Sequence, residues 1–193
     1  MELSQIKPSY YYALQHYAHA LMQRNKLLRD VALKPSLSDM LEDWDAQLAR
    51  YGAAIMRERQ AFIALISDSA HENHLEISGG QEDLKARYVP SRDAQDEPAQ
   101  ARMKALRVAR EMDVRRGTTS VGPHRDDLML TLSGMDVRVY GSQGQQRTTA
   151  LSLKLAELDI MRREIGEWPV LMLDDVMSEL DPKRRRQLLG RLK

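Results

Sequence analysis

An α/β fold carrying an α-helical hairpin arm is what this sequence predicts, and three features predict it. Residues 1–70 hold two long apolar stripes at helical spacing. Residues 71–193 instead mix short strand-like runs with helical ones. Near the C-terminus a wholly apolar run, Val170 to Leu173, ends in Asp174 and Asp175. A short run of that kind reads as a buried strand that delivers carboxylates to a sheet edge, where α/β proteins hold ligands.

The arm comes first. Pro8 suits the opening of a helix, because its fixed φ fits the first turn and its missing N–H has no partner to lose there. Tyr10, Leu14, Tyr17, Leu21 and Leu28 follow at spacings of four, three, four and seven. The stretch from Asp30 to Pro35 breaks the pattern, and Ser36 or Ser38 offers an N-cap oxygen for a second helix. In that helix Leu37, Leu41, Trp44, Leu48, Tyr51, Ile55, Phe62 and Ile66 form one stripe, a coiled-coil-like seam. Two such helices bury little area by themselves, so they dock against a platform or project to meet a partner.

The platform follows. Leu75 to Ser78 and Leu84 to Val89 read as two strands around Gly79-Gly80. Pro90 to Pro98 reads as a surface loop, and Ala101 to Arg116 as a charged helix with Met103, Leu106, Val108 and Met112 as its apolar positions. Asp127 to Leu132 and Met135 to Tyr140 flank Ser133-Gly134 as a β-hairpin. A helix runs from Ser142 to about Glu164 with Leu151, Leu155, Leu158 and Met161 at helical spacing. After the strand at Val170, Ser178 or Asp181 caps a last helix from Pro182 to Leu192.

Composition narrows the chemistry. Among 193 residues 42% are hydrophobic and 30% charged, with formal net charge +1, so bulk charge does not argue for nucleic acid. There are no cysteines, which excludes disulfides, thiolate metal sites and Cys nucleophiles. No apolar run approaches the roughly 18–20 residues that span a bilayer. Nothing at the N-terminus reads as a signal peptide. A cytoplasmic protein that does not engage a membrane is expected.

Three stretches carry the chemistry when read together. Ser142-Gln143-Gly144-Gln145-Gln146-Arg147 follows a strand-like run and opens a helix. Glycine there lets backbone approach a ligand, and a helix start presents N–H groups and a positive dipole end to an anion. A plain polar N-cap turn would look the same. Asp174-Asp175 supplies one acid to hold Mg²⁺ through water and a second to polarise an attacking water, although strands often end in acidic loops. Ser178-Glu179-Leu180-Asp181 is at least a helix cap. The order of the three, with a helix and an apolar strand between them, is far more demanding than any one alone.

That run resembles the C-terminal lobe of an ABC-type ATPase head: signature motif, Walker B and D-loop. Its wording is similar to the RecF family, relatives of the structural-maintenance-of-chromosomes ATPases. Val121-Gly122-Pro123-His124-Arg125-Asp126-Asp127, the Tyr88-Val89-Pro90 region and Gln23-Arg24-Asn25-Lys26-Leu27-Leu28 resemble the same family, so the likeness covers nearly the whole chain. It implies an ATP-dependent DNA-binding protein that acts at gaps and junctions, with RecO and RecR, to load the RecA recombinase. Carried over by motif, Ser142, Gln143, Gly144 and Gln145 contact the γ-phosphate of ATP bound by a second subunit. Asp174 assists Mg²⁺, Asp175 stands where many relatives have Glu and orients the attacking water, and Asp181 lines the homodimer interface. Arg147 is assigned to support of the helix start.

A full head needs a P-loop, G-x-x-x-x-G-K-[ST], yet none of the ten glycines is followed by Lys. The strand and histidine switch of this ATPase class are expected beyond Lys193. Both ends therefore read as interrupted, and the chain is expected to be inactive alone while its parent is a weak DNA-dependent ATPase. A non-catalytic protein-interaction module, with RecR as leading partner, is the competing reading, and another SMC-like repair ATPase a third. His124-Arg125-Asp126-Asp127 reads as a solvated or hydrogen-bonded loop rather than a metal site, His71 and His74 lack further ligands, and His16 and His19 line a polar or boundary helix face. Lys183-Arg184-Arg185-Arg186 reads as a charged helix face with phosphate-backbone contact as the alternative, and Tyr10 as packing rather than base stacking.

Overall fold

Pro8 does open a helix, at the first turn of α2 (Pro8–Leu33), directly after the single-turn α1 (Leu3–Ile6). The computed structural model describes residues 3–91, 99–167 and 182–191. A 3₁₀ segment, Pro35–Met40, separates α2 from α3, which runs over Leu41–Ser78. The serines expected to cap the second helix lie in this segment, so α3 begins one turn later. The remaining elements are β1 (Leu84–Val89), α4 (Ala99–Arg116), β2 (Asp127–Leu132), β3 (Met135–Asp136), α5 (Val137–Tyr140), α6 (Gln143–Ile165) and α7 (Pro182–Arg191). The described chain is mostly helical with one small sheet. The apolar strand and acids expected at Val170 to Asp175 lie outside the described residues, so the α/β platform is represented by that sheet alone.

The chain divides into two compact units, each built from two stretches: residues 3–60 with 89–127, and residues 61–88 with 128–193. Residue 70, where the sequence changes texture, lies inside α3, whose two halves belong to different units.

In the first unit α2 buries Tyr10, Ala13, Tyr17, Ala20, Arg24, Leu27, Leu28 and Val31. The expected stripe is rotated slightly, with Leu14 and Leu21 half-buried at its edge. Leu27, Leu28 and Val31 pack with Leu41 of α3, and Leu37, Trp44 and Val114 close the cluster. At the heptad position between Tyr17 and Val31 stands Arg24, fully buried. Its Nε donates to Asp45 Oδ1 at 2.6 Å, and its Nη1 donates to Asp113 Oδ2 at 2.8 Å and Thr119 Oγ1 at 2.9 Å. The network continues outward, because Arg110 Nη2 donates to Asp45 Oδ2 at 2.8 Å and to Glu42 at 3.0 Å. Thr119 donates to Asn25 Oδ1 through both its backbone N–H and its hydroxyl, and Ser120 N–H donates to Asp113 Oδ1. Polar bonds thus join α2, α3, α4 and the loop after α4. In α4 the buried face is Leu106, Ala109 and Asp113, whereas Val108 and Met112 are exposed. Of the apolar positions chosen from sequence, Leu106 lies on this face and Met103 is half-buried, whereas Val108 and Met112 fall off it because an aspartate completes the face.

In the second unit Ala70, Leu84, Leu132, Val137 and Ala156 form the core, with Leu130 and Leu153 against it. The sheet order is β1-β2-β3, and β2 pairs antiparallel with β3 in the register Thr131↔Asp136 and Leu132↔Met135. Ser133 and Gly134 both have positive φ, 49° and 87°, as a tight two-residue hairpin turn needs. Two strand expectations are corrected. Residues 75–78 are the last turn of α3, ended by Gly79 and Gly80 at positive φ with Gly80 N–H donating to Leu75 C=O. The predicted strand from Met135 to Tyr140 stops after two residues, because the Asp136 carboxylate accepts from Arg138 N–H at 2.7 Å and caps α5.

Candidate functional site

Helix α6 opens as expected, and its first turn is a complete capping box. Ser142 Oγ accepts from Gln145 N–H at 3.2 Å, and Gln145 Oε1 accepts from Ser142 N–H at 2.9 Å. Ser142 therefore spends a lone pair on the cap and keeps its hydroxyl hydrogen to donate. The amides of Gln143 and Gly144 fall in the first helical turn, where no intrahelical carbonyl reaches them. Ser142, Gln143 and Gly144 are all exposed. A Cβ built on Gly144 would meet nothing within 4 Å, so the outer side of the turn is open. Beside it a cavity of ≈ 300 Å³ is lined by Leu132, Met135, Tyr140 and Gln145 among others.

Behind the turn lies a set of polar groups that sequence reasoning did not bring together. Gln145 Nε2 donates to Glu82 Oε1 at 3.0 Å. Arg184 of α7 donates to the same oxygen at 3.1 Å, to Gly144 C=O at 3.3 Å and to Thr148 Oγ1. His74, fully buried on α3, places Nε2 2.9 Å from Glu82 Oε2 and Nδ1 3.0 Å from Ser152 Oγ. From the other side Gln146 Nε2 donates to Val137 C=O at 3.2 Å and Gly141 C=O at 3.1 Å. Nothing local in the sequence marks Glu82 or His74. Arg184 was visible only as part of a basic run, and it faces the turn rather than standing on a solvated face.

Charge states follow from these neighbours. Burial pushes Glu82 up, but hydrogen bonds from Gln145 and His74 and the Arg184 charge outweigh it, leaving the carboxyl below its usual range. Burial pulls His74 below the usual imidazole value of 6.5, against the opposing pull of Glu82. A neutral His74 donates Nε2–H to the Glu82 carboxylate, and its Nδ1 lies 3.0 Å from Ser152 Oγ, whose hydroxyl donates to Thr148 C=O at 2.8 Å. In the first unit His124 is lowered chiefly by burial as well. Its Nε2 faces Thr119 C=O at 3.0 Å, so Nε2 carries the hydrogen and Nδ1 accepts from Tyr17 Oη at 2.7 Å.

Both rings have a definite effect on stability. Below about pH 6.5 the unfolded chain takes up protons that these folded rings refuse. Stability from this source is complete above that pH and falls as pH drops towards the folded values, by at most about 1.4 kcal/mol per pH unit for buried His74 and by less for His124, whose exposed ring is screened by solvent. Urea denaturation at about pH 7.5 and about pH 5.5 should give the lower unfolding free energy in acid; an unchanged value would refute the assignment of neutral imidazoles.

The remaining expected site residues divide as follows. Arg147 is exposed. Asp174, Asp175 and the run Ser178 to Asp181 lie outside the described residues. Among the described residues no group of three or more His, Asp or Glu is placed to hold a metal ion, and no helix is long and apolar enough to cross a membrane.

Comparison with known proteins bears on this arrangement. No family model matches the chain. It is 44% identical over 196 residues to the DNA replication and repair protein RecF of Acetivibrio thermocellus, covering 99% of this chain and 53% of that protein. It is 46% identical over 195 residues to RecF of Shouchella clausii, covering 98% and 52%. The chain superposes on a solved structure of the recombination mediator protein RecF with ATP, from the RecFOR pathway, with a TM-score of 0.87 at 38% identity over 99% of the chain and 52% of that structure. A second structure, RecF with ATPrS, gives 0.86. The chain belongs to the RecF family. It spans about half the length of the curated RecF proteins it matches. In this RecF-family chain the capping box at Ser142 and the buried Arg24 network are built within separate units, each with its own polar core.

Proposed function

We propose that the chain forms the signature-bearing part of a RecF-type ATPase that acts on DNA in recombinational repair and replication-gap processing. The observation that carries this reading is the α6 start: a capped turn whose open side offers hydrogen-bond donors. The Ser142 hydroxyl hydrogen and the first amides of α6 face an open side, and the helix dipole adds positive potential there. That donor set fits the γ-phosphate of ATP. Ser142, Gln143, Gly144 and Gln145 would meet a nucleotide held by a second subunit, so that ATP bridges two copies of the parent protein. Phosphoryl transfer needs positioning and charge stabilisation above all, and a γ-phosphate shared between two chains makes its removal the signal for separation.

Outside the described residues the family pattern assigns Asp174 to Mg²⁺, Asp175 to the attacking water and Asp181 to the dimer interface. The RecFOR pathway named for the solved RecF structures supports RecO and RecR as partners, with RecR the first to test. The full-length parent, wild type beside Ser142→Arg, tests the split site. Light scattering should show ATP-driven dimers for the wild type only, while nucleotide binding by the monomer is unchanged. Equal dimerisation of both would sink the reading and favour a non-catalytic interaction module.

A further inference from the structure

The open face at Ser142 lies at the end of α6, where a helix frays unless side chains hold its first turn. What holds it is Gln145, whose side-chain amide is used at both ends: Oε1 on Ser142 N–H and Nε2 on Glu82 Oε1. An amide fixed at one end only could rotate and release Ser142. Fixed at both, it sets the Ser142 backbone and therefore the direction of the hydroxyl. Glu82 is itself held from two sides, by buried His74 on Oε2 and by Arg184 on Oε1. The same Arg184 grips the turn directly at Gly144 C=O and Thr148 Oγ1. Arg184 stands on α7, which follows the stretch of Asp174, Asp175 and Asp181 in the chain.

We infer that Glu82 is a positioning residue for the phosphate-facing turn, aligning Ser142 through Gln145, and that Arg184 ties α7 to that alignment. This rests on the reading of Ser142 as a γ-phosphate contact in trans. Glu82 acts on Ser142 through Gln145, and both line the cavity beside the turn. The run Lys183-Arg184-Arg185-Arg186 thereby gains a member with a specific role. Movement of α7 would be felt at the turn through one guanidinium that bonds both the turn and its brace.

The test uses the full-length parent protein and two readouts, ATP-dependent dimerisation by analytical ultracentrifugation and binding of a fluorescent ATP analogue by the monomer. Glu82→Gln keeps the shape of the side chain and removes the charge that Arg184 and Gln145 address. It should weaken the ATP-dependent dimer about tenfold, the scale of a lost charge-assisted hydrogen bond, with monomer nucleotide affinity unchanged. In a Gln145→Ala background the same substitution should have no further effect on dimerisation, because the path from Glu82 to Ser142 is already cut. A residue that only supported folding would act additively in that background. Should Glu82→Gln fold poorly beside an unneutralised Arg184, Glu82→Gln with Arg184→Met removes both charges and should still dimerise weakly. Wild-type dimerisation of the Glu82 variants, or additivity with Gln145→Ala, overturns the inference. Ser142→Arg run in parallel separates the two failures: if it abolishes dimerisation while Glu82→Gln does nothing, only the positioning role falls. If Ser142→Arg has no effect, the trans reading falls and the inference with it.

Discussion

Arg24→Met is expected to lower the unfolding free energy by about 3–5 kcal/mol, the range for removing one partner of a buried ion cluster. The guanidinium and the carboxylates of Asp45 and Asp113 are all fully buried. The substitution strands two carboxylates away from water. Asp45 keeps Arg110, while Asp113 keeps only the Ser120 N–H among the bonds described above. Methionine fills much of the arginine volume, so a cavity contributes little and the loss reads the electrostatics. A companion variant makes the cause explicit. Arg24→Met with Asp113→Leu removes the less supported anion along with the cation and should recover part of the loss, since a buried pair exchanged for apolar groups is often near neutral. Chemical denaturation measures both. A loss under about 1 kcal/mol for Arg24→Met would mean that this cluster behaves as a hydrated surface pair.

The two long helices were legible because their apolar residues repeat: of the positions chosen by spacing, Tyr10, Tyr17, Leu28, Leu41, Leu48, Ile55, Phe62 and Ile66 are all buried core, while Leu14, Leu21, Leu37, Trp44 and Tyr51 are half-buried at its edge. Arg24 was hidden by its chemistry. It stands at the same heptad position as Tyr10, Tyr17 and Val31, but a charged side chain in a stripe reads as its boundary unless two distant acids, Asp45 and Asp113, are known to converge on it. Helix α3 was cut short in the reading because Leu75-Glu76-Ile77-Ser78 alternates like a strand. Alternation over four residues also fits a helix end, and the intervening His74 and Asn73, both buried, gave no apolar period to follow. At the site, Ser142 and Gln145 were legible since a capping box is local, three residues apart. Glu82 and His74 reach the turn only through the fold, from more than sixty residues upstream in the case of the Gln145 contact, |i−j| = 63. Local chemistry can be read from a sequence; convergence of single polar residues from separate elements cannot.

The run from Val121 to Asp127 offers the sharpest test of that distinction, because a motif-like wording there has a packing explanation. Gly122 has φ +130°, and a Cβ placed on it would lie 2.2 Å from Tyr17 Oη. Tyr17 cannot retreat easily. Its ring packs against α3, where even a Cβ on Gly52 would come within 3.3 Å, and its hydroxyl is bound to His124 Nδ1 at 2.7 Å. Gly122→Ala should therefore cost about 3 kcal/mol or more, from about 1–3 kcal/mol of backbone strain and a similar amount for overpacking. Tyr17→Phe alone should cost about 1 kcal/mol, one hydrogen bond. Combined, they should cost less than their sum, because phenylalanine lacks the atom that the alanine methyl strikes; the next nearest contacts are 3.3 and 3.4 Å. A double-mutant cycle by urea denaturation should show coupling of about 1 kcal/mol or more. Strict additivity would place the cost of Gly122→Ala in the backbone alone. The coupling would instead assign Gly122 and His124 to seating one tyrosine of the arm, and would explain the glycine and the histidine in this motif without invoking a ligand.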